Sequence, residues 1–372
     1  MSRYFTLAAC CLIHLVIGSV YADSALYEAI CQTTGWGRSW LVGGFSATIL
    51  ALGCAAASYR KSLQGVSCSM ILRETAVLYM FTMGITWMFI LNEHPLGVWG
   101  YLALCIIRGG CIGVMYAMTV SYATNLFPNR RGLCSGLVVM SFGLGSLVAV
   151  KAYTYFLQFP LMNMILLQFV YWGVLLVAAF MFQVKDNISY TPVSSVVVNP
   201  IWQRLSVIFF LNICIGITLL SNLVALTAEQ GIDYKDAIWL VGTAGVANGL
   251  GRIIYSTLSD TFGRLEVLRI ALLIQTFCLM ILPWCWEVAV LGIISVYGGG
   301  FALMPSICAQ HLSEGANGYS VLLVWWGIAG LVGPMVYLMA PYLVLLLIAS
   351  IVAVVMTSDL ILYVSETQNS IK

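Results

Sequence analysis

Residues 237–264 read AIWLVGTAGVANGLGRIIYSTLSDTFGR, an apolar run that ends in a short charged turn. The first 22 positions of this stretch carry a single charged side chain, Arg252. A run of this length, wound as an α-helix, crosses the hydrocarbon core of a bilayer, which is about 30 Å thick. The turn that follows contains Asp260 and Arg264, where the helix would leave the membrane.

The whole chain has the same character. Of its 372 residues, 61% are hydrophobic and 8% are charged, whereas a soluble domain carries about 25% charged residues. The 16 basic and 14 acidic side chains leave a net charge of +2. This composition excludes a water-soluble enzyme, a nucleic-acid-binding protein and a disordered chain, and it predicts an all-α membrane protein whose solvent is the lipid bilayer.

Apolar runs bounded by charged, proline or polar clusters predict twelve transmembrane helices. They lie near residues 5–29, 38–58, 70–91, 97–122, 132–156, 162–184, 205–228, 237–258, 267–286, 288–310, 319–339 and 342–364. The longest connection, residues 185–203, divides them into two bundles of six, within residues 1–184 and 204–372. Val20-Tyr21-Ala22 resembles a signal-peptide cleavage site, but the apolar pattern continues beyond it, so we expect an uncleaved first span.

The distribution of Lys and Arg predicts the orientation of the chain. With a cytoplasmic N-terminus, eleven basic residues fall at cytoplasmic span ends, two at outer ends and three inside spans, which accounts for all 16. Both termini and the 185–203 linker are then cytoplasmic. We expect a multi-pass protein of a plasma membrane. Compact loops and the absence of a transit peptide favour a bacterial inner membrane, with a eukaryotic plasma membrane as the alternative.

Five charged side chains inside the spans are candidate functional residues, because burial of an ionisable group at bilayer depth costs about 2.5–3.5 kcal/mol. Arg252, Lys151 and Arg108 are predicted to bind a substrate, Arg252 as the principal cation. The alternatives are snorkelling towards water or pairing with a nearby acid. Asp23 and Glu28, on the first span, are predicted either to pair with these cations or to carry protons.

Several stretches, taken together, resemble a known family. The turn after span 8 resembles the G-x-x-x-D-x-x-G-R-x loop motif of the major facilitator superfamily. Four other stretches resemble, in order, motifs of its oxalate/formate antiporter family: residues 18–24 (GSVYADS), 127–136 (FPNRRGLCSG), 297–305 (YGGGFALMP) and 326–334 (WGIAGLVGP).

The resemblance implies the major facilitator fold, with two six-helix bundles, and a secondary active transporter that works by alternating access. It implies a small organic anion as substrate: a monocarboxylate such as lactate, pyruvate or formate, or oxalate. Anion exchange and proton symport are both open. The alternative is a non-transporting membrane sensor or scaffold with a transporter-like fold.

The family pattern also assigns residue roles. It implies a gating role for the loop residues Gly251, Asp260, Gly263, Arg264, Arg130 and Arg131. It implies that aromatic side chains shape the substrate cavity, namely Tyr21, Tyr116, Tyr297, Phe301, Trp325 and Trp326. The alternative for these aromatics is lipid or interface contact, as for most Trp and Tyr in membrane proteins.

Three departures from the family pattern are informative. The loop after span 2, residues 59–62 (YRKS), lacks the acid of the superfamily motif. Asp23 stands where the family usually has Trp. Oxalate carriers of the family place a lysine in span 11, and the corresponding position here is Trp325 or Trp326. The loss of that cation favours a monocarboxylate over a dianion.

The sequence contains no catalytic or metal-binding pattern. Its 12 cysteines form no CxxC, its three histidines are far apart in sequence, and no Walker loop, zinc spacing or nucleophile motif is found. We therefore expect no enzymatic activity, no cofactor, no metal and no nucleic-acid partner. We expect a monomer.

Overall fold

The computed structural model describes residues 3–91, 97–126, 131–156, 163–184, 199–312, 315–339 and 342–370. These residues form thirteen α-helices. Their bounds are α1 Arg3–Ile17, α2 Tyr27–Thr34, α3 Arg38–Ser62, α4 Cys68–Leu91, α5 Gly97–Leu126, α6 Arg131–Phe156, α7 Asn163–Met181, α8 Pro200–Glu229, α9 Tyr234–Phe262, α10 Arg264–Ile281, α11 Trp286–His311, α12 Gly315–Val336 and α13 Tyr342–Ser370. Most of the predicted linker, residues 185–198, lies outside the described residues.

Helix lengths agree with a membrane protein. Within the described ranges, ten helical segments are long and apolar enough to cross a bilayer, and Ile165–Met181 adds a shorter apolar helix. The remaining long helix, α10, carries Arg264, Glu266 and Arg269 near its start. The twelve-span count, the two-bundle division and the side of the termini stay predictions.

The first predicted span is not one continuous α-helix. Residues Gly18–Ala25 between α1 and α2 form a 3₁₀ helix of eight residues, which is longer than the usual three or four. All eight residues are buried. A Cβ on Gly18 would lie 2.0 Å from the backbone oxygen of Phe142 on α6, so only glycine permits this approach.

The seventh predicted span begins earlier than its hydropathy indicates. Helix α8 starts at Pro200 rather than near residue 205, because Asn199 caps it: its side-chain oxygen accepts a hydrogen bond from the backbone N–H of Ile201 (2.8 Å). Proline at the first helical position fits this start, since its missing N–H has no helical partner there.

The N-terminal helices α1–α7 meet the C-terminal helices α8–α13 along two glycine-lined seams. Between α3 and α12, a Cβ on Gly53 would lie 2.6 Å from the backbone nitrogen of Gly327. Between α6 and α9, a Cβ on Gly143 would lie 3.1 Å from the backbone nitrogen of Gly249. Glycine lets these backbones approach closely, as it does in other membrane helix pairs.

We expect Gly53→Ala to lower the melting temperature of the purified protein in detergent, because the new methyl group must push α3 and α12 apart. Overpacking of this kind costs about 1–3 kcal/mol. Gly43→Ala on the same helix is the matched control, since a Cβ there meets nothing within 4 Å. Equal melting temperatures for the two variants would contradict the close seam.

Candidate functional site

Arg252 lies in the interior of the protein, on the α6–α9 seam. It is 1% exposed. Its Nε donates to the side-chain oxygen of Asn248, one turn earlier on α9 (3.1 Å), and its Nη1 donates to the backbone oxygen of Val139 on α6 (2.8 Å). The side chain therefore joins the C-terminal helices to the N-terminal helices and does not snorkel to water.

The positive charge of Arg252 has only neutral partners in the described part of the chain. None of the three ion pairs found there includes Arg252. A buried charge without a counter-charge is costly, and a bound anion would supply the missing partner. The arrangement is therefore suited to hold a carboxylate, which a guanidinium binds through two parallel hydrogen bonds.

Six buried aromatic rings form a closed circuit of contacts, which we call the aromatic ring. In order they are Tyr21, Phe142, Tyr116, Trp326, Phe301 and Tyr297, which returns to Tyr21. Successive ring centroids lie between 4.7 and 6.2 Å apart, mostly edge to face. The guanidinium carbon of Arg252 lies 5.4 Å from the Phe301 centroid. The cation thus lies against a wall of apolar, polarisable groups that exclude water.

Both halves of the chain contribute to the aromatic ring, which closes through two contacts between them. The Tyr21 hydroxyl, on the 3₁₀ helix, forms a hydrogen bond with the Tyr297 hydroxyl of α11 (2.5 Å). The Tyr116 ring of α5 lies 5.3 Å from the Trp326 ring of α12. Separation of the two halves would break the ring at these two contacts.

The site contains polar atoms without a well-formed hydrogen bond. The Tyr116 hydroxyl, the Trp326 Nε1–H and the Asn248 side-chain nitrogen are buried with no hydrogen bond of good geometry, although Tyr116 lies near Tyr319 and Trp326 near Tyr21. Such groups are uncommon in folded proteins because each costs free energy. All three can donate a hydrogen bond, so an oxygen-rich anion beside Arg252 is the kind of ligand that would satisfy them.

Three of the predicted substrate residues lie elsewhere. Lys151 is exposed on α6, with its ammonium 5.8 Å from the ring centroid of Trp239. Trp325 is half-buried and contacts Phe210, with centroids 5.9 Å apart. Arg108 is paired with an acid. The structure brings none of the three to the aromatic ring.

Asp23 and Arg108 form a buried ion pair inside the N-terminal helices. Two guanidinium nitrogens of Arg108 donate to the two carboxylate oxygens of Asp23, at 2.7 and 3.0 Å. Asp23 belongs to the 3₁₀ helix and Arg108 to α5, so the pair fixes that segment to the bundle. The other predicted proton carrier, Glu28, is exposed on α2 and accepts a hydrogen bond from Gln32 (2.8 Å).

The predicted gating residues have mostly local contacts. A Cβ on Gly251 would lie 2.0 Å from a backbone oxygen of α11, so this glycine permits close packing. Gly263 has a φ of 88° and separates α9 from α10. Asp260 is exposed and belongs to none of the ion pairs in the described ranges. Arg130 and the side chain of Arg131 lie outside the described residues.

Arg264 binds within the C-terminal helices rather than across the two halves. Its Nη1 donates to the backbone oxygen of Ser306 (2.9 Å) and to the side-chain oxygen of Gln310 (3.0 Å), both on α11. Partial burial and the charge of Arg264 lower the pKa of the neighbouring His311. The turn after α9 is therefore tied to the end of α11.

The sequence did not reveal several residues of this site. Phe142 completes the aromatic ring, and Asn248 and Val139 hold the guanidinium. Phe142 precedes the glycines at positions 143 and 145, which mark a close helix contact, and Asn248 stands one helical turn before Arg252. These two features of the sequence were the signals that could have identified Phe142 and Asn248. No pattern in the sequence points to the Val139 carbonyl.

Comparisons with known proteins agree on the family. A family model described as "Major Facilitator Superfamily" matches residues 70–334. The chain is 23% identical over 363 residues to the "Uncharacterized MFS-type transporter YhjX" of Escherichia coli (strain K12), covering 89% of this chain and 86% of that protein. It is 23% identical over 233 residues to the "Oxalate:formate antiporter" of Oxalobacter formigenes, covering 55% and 53% of the two chains.

Solved structures show the same fold. The transporter FucP in the outward conformation matches with a TM-score of 0.73 at 15% identity, over 96% of this chain and 99% of that one. The human organic anion transporter MFSD10 (TETRAN) matches with a TM-score of 0.71 at 15% identity, over 97% and 100% of the two chains. These structural matches concern the fold alone.

Proposed function

Because this chain belongs to the Major Facilitator Superfamily, whose members are transporters and not enzymes, we propose that it is a secondary active transporter of a small organic anion. The proposed substrate class is a monocarboxylate such as lactate, pyruvate or formate. Oxalate is the less favoured candidate. The proposed binding site is centred on Arg252, beside the aromatic ring.

The observation that carries this proposal is the charge of the site. One buried guanidinium, with no carboxylate within ion-pair distance in the described residues, lies against Phe301 of the aromatic ring. A single positive charge matches a single negative charge. Electrostatic attraction is strong where water is excluded, and the Tyr116 and Trp326 donors, which lack a hydrogen bond of good geometry, suit the oxygens of a carboxylate.

The similar proteins point in the same direction. One is an oxalate:formate antiporter and another is an organic anion transporter. In the oxalate/formate antiporter family, oxalate carriers have a second cation at the position of Trp325 or Trp326. Trp326 lies in the aromatic ring and Trp325 outside it, so the side chain that this position contributes to the site is neutral. This supports a monoanion.

The proposed mechanism is alternating access between the two halves. An anion that neutralises Arg252 lowers the electrostatic cost of closing the site, so the loaded protein changes conformation more readily than the empty one. Reorientation would break and remake the Tyr21–Tyr297 and Tyr116–Trp326 contacts. We propose cytoplasmic termini, a plasma membrane and a monomeric unit, with exchange and proton symport as the two possible coupling modes.

Uptake into proteoliposomes tests the substrate. Purified protein is reconstituted, and labelled formate, lactate, pyruvate and oxalate are offered outside vesicles that contain the same unlabelled anion. We expect counterflow of at least one monocarboxylate above that of protein-free vesicles. Binding without counterflow would support the alternative of a sensor or scaffold, and neither binding nor counterflow would contradict the proposed substrate class.

Adding a second cation at the aromatic ring should change the selectivity. We expect Trp326→Lys to raise the ratio of oxalate uptake to lactate uptake about tenfold, because a second charge near Arg252 favours a dianion over a monoanion. Trp325→Lys is the matched control and should leave the ratio unchanged. The ratio is informative even if the total rate falls. If the uptake ratio changed in Trp325→Lys and not in Trp326→Lys, Trp325 and not Trp326 would lie beside the substrate, which would contradict this assignment.

A further inference from the structure

His14 lies directly behind the aromatic ring. It is fully buried on α1, and its imidazole centroid lies 4.9 Å from the Tyr116 ring and 5.9 Å from the Phe142 ring. The Tyr116 and Phe142 side chains are neighbours in the six-residue circuit called the aromatic ring. His14 is therefore separated from the proposed anion site by a wall one side chain thick.

The hydrogen bonds of Thr119 determine which nitrogen of His14 carries a proton. A threonine hydroxyl has one hydrogen, and that of Thr119 points to the backbone oxygen of Met115 (2.6 Å). The oxygen of Thr119 must then accept a hydrogen bond from His14 Nε2, which lies 2.7 Å away. In the neutral ring only one nitrogen carries hydrogen, so the other, Nδ1, has a free lone pair.

Nδ1 of His14 is buried without a hydrogen-bond partner. A buried lone pair that no group satisfies is costly, and on an imidazole the nitrogen that carries it is also the atom that takes up a proton. The ring is thus held by Nε2, on one side, with its proton-accepting atom unused. Packing alone does not require a histidine with this arrangement.

The ionisable groups around His14 are few. From α5 the facing group is Tyr116, from α9 it is Arg252, and the 3₁₀ helix contributes Tyr21 on the far side of Phe142. On α1 itself, Cys10 and Cys11 interact with each other, and Cys11 also faces Ser141 and Cys134 of α6. Tyr171, the titratable side chain of α7 in the described residues, interacts with Tyr79.

Arg252 is the charged group that acts on His14. In the empty site the neutral imidazole is favoured first by burial and second by the guanidinium, which repels another positive charge. An anion bound to Arg252 would cancel that repulsion and favour protonation of His14. By linkage, a protonated His14 would bind the anion more tightly, because the coupling free energy is the same in both directions.

We propose that Nδ1 of His14 is the proton-binding site of this transporter, so that one monocarboxylate and one proton bind and cross the membrane together. The proposal rests on the proposed function, since it needs an anion at Arg252. The sequence instead favoured Asp23 or Glu28 as proton carriers. Asp23 is occupied by Arg108 through both carboxylate oxygens, and Glu28 is exposed on α2.

Two transport assays in the same vesicles test the proposal. The first is exchange of labelled lactate against internal lactate at equal pH, and the second is accumulation of lactate driven by a tenfold proton gradient, acidic outside. We expect the wild type to perform both. His14→Gln keeps a donor for Thr119 but has no proton-accepting nitrogen. It should bind lactate more weakly but still exchange it at saturating concentration, and it should lose at least 90% of the gradient-driven accumulation above protein-free vesicles. Glu28→Gln is the control and should perform both.

The outcomes separate this proposal from the proposed function. Exchange without gradient-driven accumulation in the wild type would overturn the role of His14 alone, as would full accumulation in His14→Gln. The absence of any monocarboxylate exchange in the wild type would overturn both proposals. Formate and pyruvate, assayed in parallel, guard against a poor choice of anion.

A binding measurement decides the case in which His14→Gln loses exchange as well. Calorimetric titration with lactate in detergent, at pH 5.5 and 7.5, should show tighter binding at the lower pH for the wild type, by up to tenfold per pH unit. The affinity of His14→Gln should not depend on pH. A pH dependence that persists in this variant would overturn the proposal.

Discussion

Arg252→Gln should reduce labelled monocarboxylate uptake by about 100- to 1,000-fold while the purified protein remains folded in detergent. Loss of a buried, charge-assisted contact costs about 3–4 kcal/mol, and each 1.4 kcal/mol is a factor of ten. Glutamine keeps a polar group near Asn248 and the Val139 carbonyl, so folding is expected to survive. It removes the only charge that the site offers an anion in the described residues.

Two further arginine variants make this result specific. Arg204→Gln removes an arginine from the same half, but its partner Asp359 is exposed (2.8 Å), and such pairs contribute about 0–1 kcal/mol. It should transport normally. Arg252→Lys keeps the charge but not the planar, two-pronged donor, so intermediate uptake is expected. Near-normal uptake in Arg252→Gln would remove this residue from the site.

Arg108→Gln should destabilise the protein strongly, because it leaves the Asp23 carboxylate buried without its partner. Breaking a buried ion pair by removal of one member costs about 3–5 kcal/mol. Both members are buried and the contact is two-pronged, so the upper part of this range is expected. The measurements are the folded yield by size-exclusion chromatography and the melting temperature in detergent.

The double variant Asp23→Asn with Arg108→Gln is the decisive comparison. It removes both charges and leaves two amides that can still form a hydrogen bond, so most of the lost stability should return. A double variant that is less stable than Arg108→Gln would show that Asp23 is stabilised by something other than this pair. Arg204→Gln again serves as the control for loss of an arginine.

The helices were predictable from sequence because a bilayer forces the backbone to satisfy its hydrogen bonds within each helix. Long apolar runs therefore mark helices directly. Hydropathy did not predict which face of each helix meets lipid and which meets the bundle interior. Lipid and the bundle interior are both apolar, so the pattern around Lys151 does not tell which side of α6 meets lipid. The structure places Lys151 on the exposed side.

The candidate site was predictable where family-like motifs contain its residues. Tyr21, Tyr297, Phe301 and Trp326 all lie in such stretches. The structure brings their rings into contact, with Phe301 against Arg252. Adjacent positions point to different sides of a helix, so the sequence alone left Trp325 and Trp326 as equal candidates.

The remaining features depend on contacts between distant segments. The break in the first span arises where Gly18 meets the backbone of α6, and nothing local in residues 18–25 requires it. The partners of Arg252 are a backbone carbonyl and an amide, which hydropathy does not detect. The pairing of Asp23 with Arg108 was one of two open alternatives, because residues 85 positions apart meet only in the folded bundle.

The 3₁₀ helix carries Tyr21 and Asp23, only two residues apart, and so links both halves of the molecule to a single stretch of backbone. A 3₁₀ helix rises about 2.0 Å per residue and an α-helix about 1.5 Å. If its eight residues became α-helical, the segment would shorten by about 4 Å and its side chains would point in new directions. This change of helix type could not separate Tyr21 from Tyr297 without also straining the ion pair between Asp23 and Arg108.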